Sequence, residues 1–571
     1  MNPAASPHPP SAGWDVIVVG SGAAGLAAAC TAAAEGRSVL LLEQSARIGG
    51  TTAISGGMVW IPANHKMAGA GRADTLADAR RYLDATVPGA DRTRLEAFLA
   101  HGDDALRYLE SRTALRLQPV VTYPDYYPDL PGATLGGRVL EPVPYDARAL
   151  GRSFALLRDP LREFTLFGGM MISRQDIPHL RRAGRSFRSA WHVARLLLRH
   201  GLQRLSAHRG TTLYLGNALA GRLLQSALDL GVEIRTQAPV ARLMSRDGRI
   251  AGVEALLGHG APTALPTRCG VILATGGISH AGALRQATVP DAAGTLTATV
   301  DGGAAPRGAR MAMEAGAAAP ATGEAGAFWV PASTFKREDG SQGVFPHTVT
   351  DRAKPGLIAV GADGRRFVNE AVSYHEFVRA QLAKPTSAIP AWLICDKRFL
   401  WKYGLGKVKP FRRSVDNEVA SGYLRRGDSI AELARSLGVD GRALTTTVET
   451  FNRHAREGRD PDFGRGSNAY QRHLGDADVR PNPCVAPIEH GPFHAVAVVP
   501  ADLGMSTGIA TDTSARVLAA GSGRPIPGLY ACGNDMQSVM DGAYPGPGIT
   551  LGPAITFGWI AARHACAHAP E

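Results

Sequence analysis

An α/β architecture with a Rossmann-like nucleotide-binding domain is predicted by three observations near the start of the chain. Residues 14–19, Trp-Asp-Val-Ile-Val-Val, form an apolar, β-branched run of the kind that makes a buried strand. Gly20-Ser21-Gly22-Ala23-Ala24-Gly25 follows at once, and the Ala-rich stretch after it predicts a helix to about Glu35, with Gly36 as its C′ residue. A second apolar run, Ser38 to Leu42, ends on Glu43. Together these make a βαβ unit that carries the dinucleotide fingerprint in its proper context.

Each residue type has a physical reason. Gly20 permits the tight turn, Gly22 lets backbone approach a pyrophosphate, and Gly25 lets the helix pack close to the strand. Ala23 and Ala24 open the helix, whose N-terminal N–H groups and partial positive charge attract phosphate. Glu43, 18 residues past Gly25, is placed to accept hydrogen bonds from an adenosine ribose, and an acid there disfavours the 2′-phosphate of NADP. The next loop, through Gly49, Gly50, Thr51, Thr52, Ser55, Gly56 and Gly57, can wrap a diphosphate and the face of a flavin. Val271-Ile272-Leu273 leads into Ala274-Thr275-Gly276-Gly277, and Gly528-Leu529-Tyr530-Ala531-Cys532-Gly533-Asn534-Asp535 repeats the strand-to-glycine pattern. The nucleotide-binding domain is therefore expected to be discontinuous and closed by the C-terminal segment.

Composition bounds the rest. At 571 residues the chain is too long for one hydrophobic core, and 45 % hydrophobic with 20 % charged residues is ordinary globular composition. The expected layout is a disordered Pro/Ala/Ser arm over 1–13, a first nucleotide-binding segment over 14–300, an inserted α+β capping and catalytic domain over 301–490, and a return to the first domain over 491–571. Phe328, Trp329, Tyr374, Trp392, Trp401 and Tyr403 lie amid Pro/Gly-rich stretches and mark the inserted domain as the site of a substrate pocket. The longest apolar runs, such as Val16–Val19, are far short of the roughly 20 residues that span a bilayer. Six cysteines lie far apart with no CxxC pair, which excludes a disulfide framework or a Cys-rich zinc site. His564, Cys566 and His568 read as a solvated chain end, so no metal site is expected. The N-terminus lacks the basic and apolar regions of a secretory signal, and the expected location is cytoplasmic.

The net charge of +12 is concentrated: Arg174 to Arg209 holds nine arginines and one acid, Asp176. Trp191, Val193, Leu196, Leu197, Leu198 and Leu202 interleave there with Arg195, Arg199 and Arg204. This amphipathic pattern reads first as a solvated helical face and second, over residues 185–205, as a peripheral contact with an anionic membrane. No nucleic-acid motif accompanies the charge, so nucleic acid is not an expected partner.

At this point GSGAAGL, EQSARIGGTTAISGG, ATGG, GRRFVNE and GLYACGNDMQSVMDGAYPGPGITLGPAITFG are recognisable together. They resemble the fumarate reductase/succinate dehydrogenase flavoprotein family and, within it, the FAD-dependent 3-ketosteroid Δ1-dehydrogenases. The resemblance runs from residue 14 to the C-terminus and is weakest over 140–210. It implies a glutathione-reductase-type FAD-binding domain and FAD as the cofactor. The FAD is expected to be non-covalent, because Thr51 to Gly57 holds no His where some members of the family attach it. The resemblance also implies that Ala274, Thr275 and Gly276 border the cofactor. Gly533 and Asn534 would reach the ribityl chain, Thr550 and Leu551 the isoalloxazine edge, and the backbone of Val240 the adenine.

Fumarate reductases resemble one another in an Arg four residues after the FVNE glutamate, where this chain has Tyr374. They also hold their dicarboxylate with an Arg and a His that Ala543–Gly548 and Asp502–Met505 do not supply. Burying two carboxylates without cations is costly, so dicarboxylate reduction is not expected. The Δ1-dehydrogenase pattern is similar instead: Asp125-Tyr126-Tyr127-Pro128-Asp129, Tyr374 after FVNE, and Tyr544-Pro545-Gly546-Pro547-Gly548. By this resemblance Tyr374 is the base for the α-proton beside the ketone, and Tyr126 donates a hydrogen bond to its tyrosinate. The Tyr544 hydroxyl and the Gly548 N–H donate to the 3-keto oxygen, and flavin N5 accepts the hydride. A phenol of ordinary pKa near 10 needs help to act as a base, so an optimum above neutral pH is expected. The implied reaction is 1,2-desaturation of a 3-ketosteroid in steroid degradation, with a quinone or another acceptor taking the electrons. Rival readings are a Δ4-(5α)-dehydrogenase or other cyclic-ketone dehydrogenase, a flavin-dependent enone or enoate reductase, and a flavin-binding protein without turnover.

Overall fold

The computed structural model describes residues 13–173, 175–258, 260–300, 308–321, 326–349 and 351–568; the expected N-terminal arm, Gly13 apart, lies outside them. Trp14–Val19 is buried along its whole length. It pairs in parallel with Val39–Leu42 on one side and Thr263–Leu273 on the other. Among the described residues these strands belong to an eight-stranded sheet ordered Arg516–Leu518, Pro525–Ala531, Thr263–Leu273, Trp14–Val19, Val39–Leu42, Glu233–Arg235, with the Val240–Arg246 and Arg249–Ala255 hairpin attached to Thr263–Leu273. Parallel strands covered on both faces must be apolar throughout, which is why the first strand shows no alternation. The Ala23–Ala34 helix packs against the C-terminal Leu551–Ala567 helix. Small residues set their separation: a Cβ on Gly558 would lie 2.6 Å from the Ala24 carbonyl oxygen. The C-terminal segment therefore closes the nucleotide-binding domain.

The inserted domain is built on a six-stranded sheet ordered Gln342–Pro346, Ala327–Lys336, Phe493–Met505, Ala391–Asp396, Leu357–Val360, with Arg425–Gly427 also on Phe493–Met505. This corrects the expected boundary at 490. Phe493–Met505 pairs with Ala327–Lys336 and Ala391–Asp396, and Val496 and Val498 fill the second hydrophobic core, so the chain returns to the first domain only after Met505.

The Arg-rich stretch forms two helices, Asp176–Arg182 and Phe187–Arg204. On the second, Ser189, Leu196 and His200 are buried. Phe187, Trp191, Leu198 and Leu202 are 87 %, 67 %, 66 % and 60 % exposed, and Leu205 just beyond is 84 % exposed. A solvated arginine face does not account for so much apolar surface in water. No helix among the described residues is long and apolar enough to cross a membrane. All six cysteines are buried and free.

Candidate active site

The glycine fingerprint turns the chain from Trp14–Val19 into the Ala23–Ala34 helix where the cofactor groove is expected. Gly20 has φ of +105°, and a Cβ on it would lie 2.2 Å from the Ala274 carbonyl oxygen; one on Gly25 would lie 2.0 Å from the Gly20 carbonyl oxygen. Gly25 is thus required for helix-to-strand packing. Around the groove, by contrast, Gly56 and Gly276 have open space where a Cβ would stand, and a Cβ on Gly22 or Gly50 would touch its neighbours only at ordinary van der Waals distance. Thr52 Oγ1 accepts the Ala23 N–H at 3.0 Å. The N–H groups of Ala24 and Gly25 have no protein acceptor among the described residues and point out of the first helical turn. Glu43 is held by the Ser21 N–H at 3.1 Å, the Ser21 hydroxyl at 2.5 Å and the Ser45 N–H at 2.9 Å. The Ala238 N–H donates to the Glu43 carbonyl at 2.9 Å, which brings the start of Val240–Arg246 beside it. Gly49 donates to the Ser21 hydroxyl, Thr51 accepts from Val300, and the Ser55 hydroxyl is spent within the loop on Thr52 and Gly57.

A second part of the groove is lined by Phe328, Met505, Gly533, Asn534, Ile549 and Thr550. Leu551 opens the C-terminal helix and is not part of that lining. Asp535, which sequence reasoning did not single out, ties the two glycine loops together. It accepts from the Thr275 hydroxyl at 2.8 Å, the Gly277 N–H at 2.9 Å and the Thr275 N–H. Burial pushes its carboxyl up against these three bonds. The whole donor set suits FAD: exposed helix-start N–H groups for a diphosphate, an acid for ribose hydroxyls, and a glycine-walled groove for the ring system.

Three predicted tyrosines from distant segments meet beside this groove. The Tyr126 hydroxyl donates to the Tyr374 hydroxyl oxygen at 2.9 Å. The Tyr374 and Tyr544 rings meet edge-to-face with centroids 5.1 Å apart, and the Tyr126 and Tyr544 rings stack at 5.6 Å. Burial pushes the Tyr374 phenol well above its ordinary value, Tyr544 adds to that, and the hydrogen bond from Tyr126 pulls it back down. Burial likewise raises Tyr544 to about 12. Of the doubled tyrosines, Tyr127 turns away and donates to Glu376 at 2.8 Å. Gly548 has φ of +99°, and a Cβ there would lie 2.5 Å from the Met58 carbonyl oxygen. Its carbonyl accepts from Trp60 and Gly552, while its N–H has no protein acceptor among the described residues.

The Tyr126 loop is anchored from below. Buried Arg138 donates to Asp74 at 2.7 Å and 2.8 Å and to Asp125 at 2.8 Å, and Trp60 Nε1 donates to Asp125 at 2.9 Å. The Tyr126 N–H and the Tyr82 hydroxyl both donate to the Pro545 carbonyl, at 3.0 Å and 2.5 Å. The Tyr126 and Tyr544 loops are therefore tied to each other through the Pro545 carbonyl. Sequence reasoning missed Tyr470, whose ring lies 4.7 Å from Tyr126, and His375, whose ring lies 5.7 Å from Tyr544. His375 Nδ1 accepts the Trp329 N–H at 3.2 Å, and burial pushes the imidazole down to about 4, so it is neutral with the proton on Nε2. The position next to Tyr374 was the one available signal for His375; Tyr470 had none.

Fold and site together define a flavoprotein oxidoreductase. A family model described as an FAD binding domain matches residues 15–551, and the chain belongs to that family. It is 39 % identical over 96 % of its length to 4-oxocyclohex-2-ene-1-carboxylate 5-dehydrogenase of Sinomonas cyclohexanicum, covering 93 % of that protein. It is 35 % identical over 96 % of its length to 3-oxosteroid 1-dehydrogenase of Mycolicibacterium smegmatis, covering 96 % of that protein. Among solved structures it is similar to 3-ketosteroid delta1-dehydrogenase from Sterolibacterium denitrificans in complex with 1,4-androstadiene-3,17-dione, with a TM-score of 0.89, 37 % identity, and coverage of 97 % of this chain and 99 % of that one.

Replacing either ring hydroxyl tests the role that the resemblance implies for it. If Tyr374 is the base, as the resemblance implies, Tyr374→Phe should retain bound flavin and slow its reduction by a cyclic ketone by about 10²–10⁴. Tyr544→Phe should cost about 10²–10³. Stopped-flow absorbance of the flavin measures both, and a wild-type reduction rate in either variant contradicts the assignment.

Proposed function

We propose that this protein catalyses FAD-dependent Δ1-dehydrogenation of a 3-ketosteroid. The observation that carries this reading is the 2.9 Å hydroxyl pair of Tyr126 and Tyr374 set against Tyr544 in a buried cleft. The Tyr544 hydroxyl and the Gly548 N–H hold the ketone oxygen and stabilise the negative charge that grows there. Tyr374, accepting a hydrogen bond from Tyr126, takes the α-proton: the C–H bond breaks, its electron pair enters the enolate, and the proton rests on the phenol oxygen. FAD, when bound, supplies the two-electron acceptor for the hydrogen on the neighbouring carbon. Because Tyr374 must be deprotonated and burial raises its pKa, the rate should rise with pH through and above neutrality.

The relatives divide between steroids and cyclic keto-carboxylates, and the cavity beside the site favours the former. A cavity of about 250 Å³ shares the Tyr126 wall and is lined by Tyr127, Asp129, Leu130, Ser373, Glu376 and Tyr470 among others, with two carboxylates and no Lys, Arg or His. The nearby Arg379 is already paired with Glu376 at 3.0 Å. A carboxylate substituent would find no counter-ion there, whereas the neutral rings of a steroid need none. In the anaerobic holoenzyme, 4-androstene-3,17-dione should bleach the flavin and yield a new 1,2 double bond. Bleaching only by a saturated 5α-steroid, with a 4,5 double bond formed, moves the reading to a Δ4 enzyme; bleaching only by 4-oxocyclohexanecarboxylate moves it to a keto-acid dehydrogenase.

The Phe187–Arg204 helix supports a peripheral membrane contact in the same reading, with a quinone as the electron acceptor. Phe187, Trp191, Leu198, Leu202 and Leu205 are exposed together and flanked by Arg188, Arg195, Arg199 and Arg204. Each arginine near an anionic surface contributes about 1 kcal/mol, and the exposed rings and leucines supply apolar area to bury in the interface. The protein should pellet with phosphatidylglycerol-containing vesicles at low salt and leave them at high salt, and the double variant Phe187→Ser, Trp191→Ser should pellet less. Equal partition with and without the anionic lipid counts against the contact.

A further inference from the structure

Among the described residues, the most deeply buried arginines follow a rule that Arg352 breaks. Arg138 is paired with Asp74 and Asp125, Arg285 with Asp502, and Arg465 with Glu370. Arg352 is as deeply buried, yet its guanidinium meets no side-chain carboxylate within ion-pair distance among the described residues. Its N–H groups go to backbone carbonyls instead: Nε to His347 at 2.8 Å, Nη1 to Glu370 at 2.9 Å and Val372 at 3.3 Å, and Nη2 to Thr348 at 3.1 Å. Burial lowers its pKa, but a guanidinium that starts above 12 remains charged.

Two features connect this cation to the base. Glu370 and Val372 lie just ahead of Ser373, whose hydroxyl caps the Tyr374–Leu382 helix by accepting the Glu376 N–H at 3.2 Å. The guanidinium also lies over the Phe377 ring of that helix, 5.1 Å from its centroid. It thus clamps the turn that aims Tyr374. The ionisable groups that act on it most are the Tyr470 phenol, Asp351 and the Tyr126 phenol, with Arg465 opposing. Asp351 is itself taken by the His347 ring at 2.7 Å and the Gly406 N–H at 3.2 Å. Two of the three groups that feel the charge are therefore phenols of the catalytic cluster.

We propose that Arg352 is a positioning residue for Tyr374: it holds the 370–372 turn, and its positive charge, which no carboxylate takes in an ion pair among the described residues, favours the phenolate of the Tyr126–Tyr374 pair. This rests on Tyr374 being the base. A positive charge nearby favours the ionised form of a buried phenol, and several of the other described groups around the pair supply none. His375 is neutral, Glu376 is paired with Arg379, Asp125 with Arg138, and Glu370 with Arg366 and Arg465. Asp129 lies in the adjoining cavity, Tyr123, Tyr127, Tyr470 and Tyr544 are phenols, and His473 stacks on Tyr123.

The test follows proton removal alone. In the dithionite-reduced holoenzyme, which cannot accept a hydride, exchange of the α-protons of 4-androstene-3,17-dione into D₂O is followed by NMR across pH. Arg352→Gln should move the acid limb of the exchange profile up by about one pH unit. Arg352→Lys, which keeps the charge but not the fork, should leave the limb in place while lowering the rate. Asp351→Asn, which removes the charge that partly offsets Arg352, should move the limb down, and it decides the matter alone if Arg352→Gln does not load flavin. A limb unmoved in both Arg352→Gln and Asp351→Asn overturns the proposal and leaves Arg352 a structural clamp. Exchange persisting at the wild-type rate in Tyr374→Phe overturns the base assignment itself.

Discussion

A phenol shut away from water resists losing its proton, and the site is organised around that constraint. In the proposed reaction burial is needed, because the ketone would lie dry against the flavin groove while its α-hydrogen is taken. The same burial drives Tyr374 away from the charged form that the proposed proton abstraction needs. The hydroxyl of Tyr126, 2.9 Å away, is the direct compensation, since a hydrogen bond to the charged form favours that form.

Keeping two hydroxyls at that distance is a problem in chain topology, because they come from different domains. Tyr126 belongs to a loop of the nucleotide-binding segment, Tyr374 begins a helix of the inserted domain, and Tyr544 lies where the chain has returned to the first domain. The loop carrying Tyr126 has no regular secondary structure, so its position depends on side chains. Arg138 between Asp74 and Asp125 fixes its base, and the shared Pro545 carbonyl locks it to the Tyr544 loop. A buried ion triad of this kind is a costly way to gain stability, but it specifies one geometry, which is what a proton transfer needs.

Parts of this were legible in the sequence because they are local. Gly20, Gly22 and Gly25 act within one turn of chain, so their spacing alone identified the groove, and the resemblance placed Tyr126, Tyr374 and Tyr544 in register. Tyr470 and Arg352 were invisible: each matters through neighbours remote in sequence, and neither sits in a pattern that marks it. Asp535 lay one residue past the predicted contact Asn534, and only the structure shows it bonded across to Thr275. The boundary at 490 was misplaced because Phe493–Met505 has the same apolar character as the strands of the first domain, and strand composition does not say which sheet a strand joins. The Arg-rich helix was recognised by its period, but a period does not reveal which face is covered; here it is the side of Leu196 and His200 that turns inward.

In the proposed reaction the Tyr374 oxygen itself receives the α-proton. Site-specific incorporation of a fluorinated tyrosine at position 374 tests it most directly, because fluorine makes the phenol more acidic with little change in shape. If Tyr374 is the base, the acid limb of the flavin-reduction profile moves to lower pH as fluorine is added, in step with the acidity of the free fluorotyrosine. If the limb stays where the native protein has it, another group takes the proton and the account of this site is wrong.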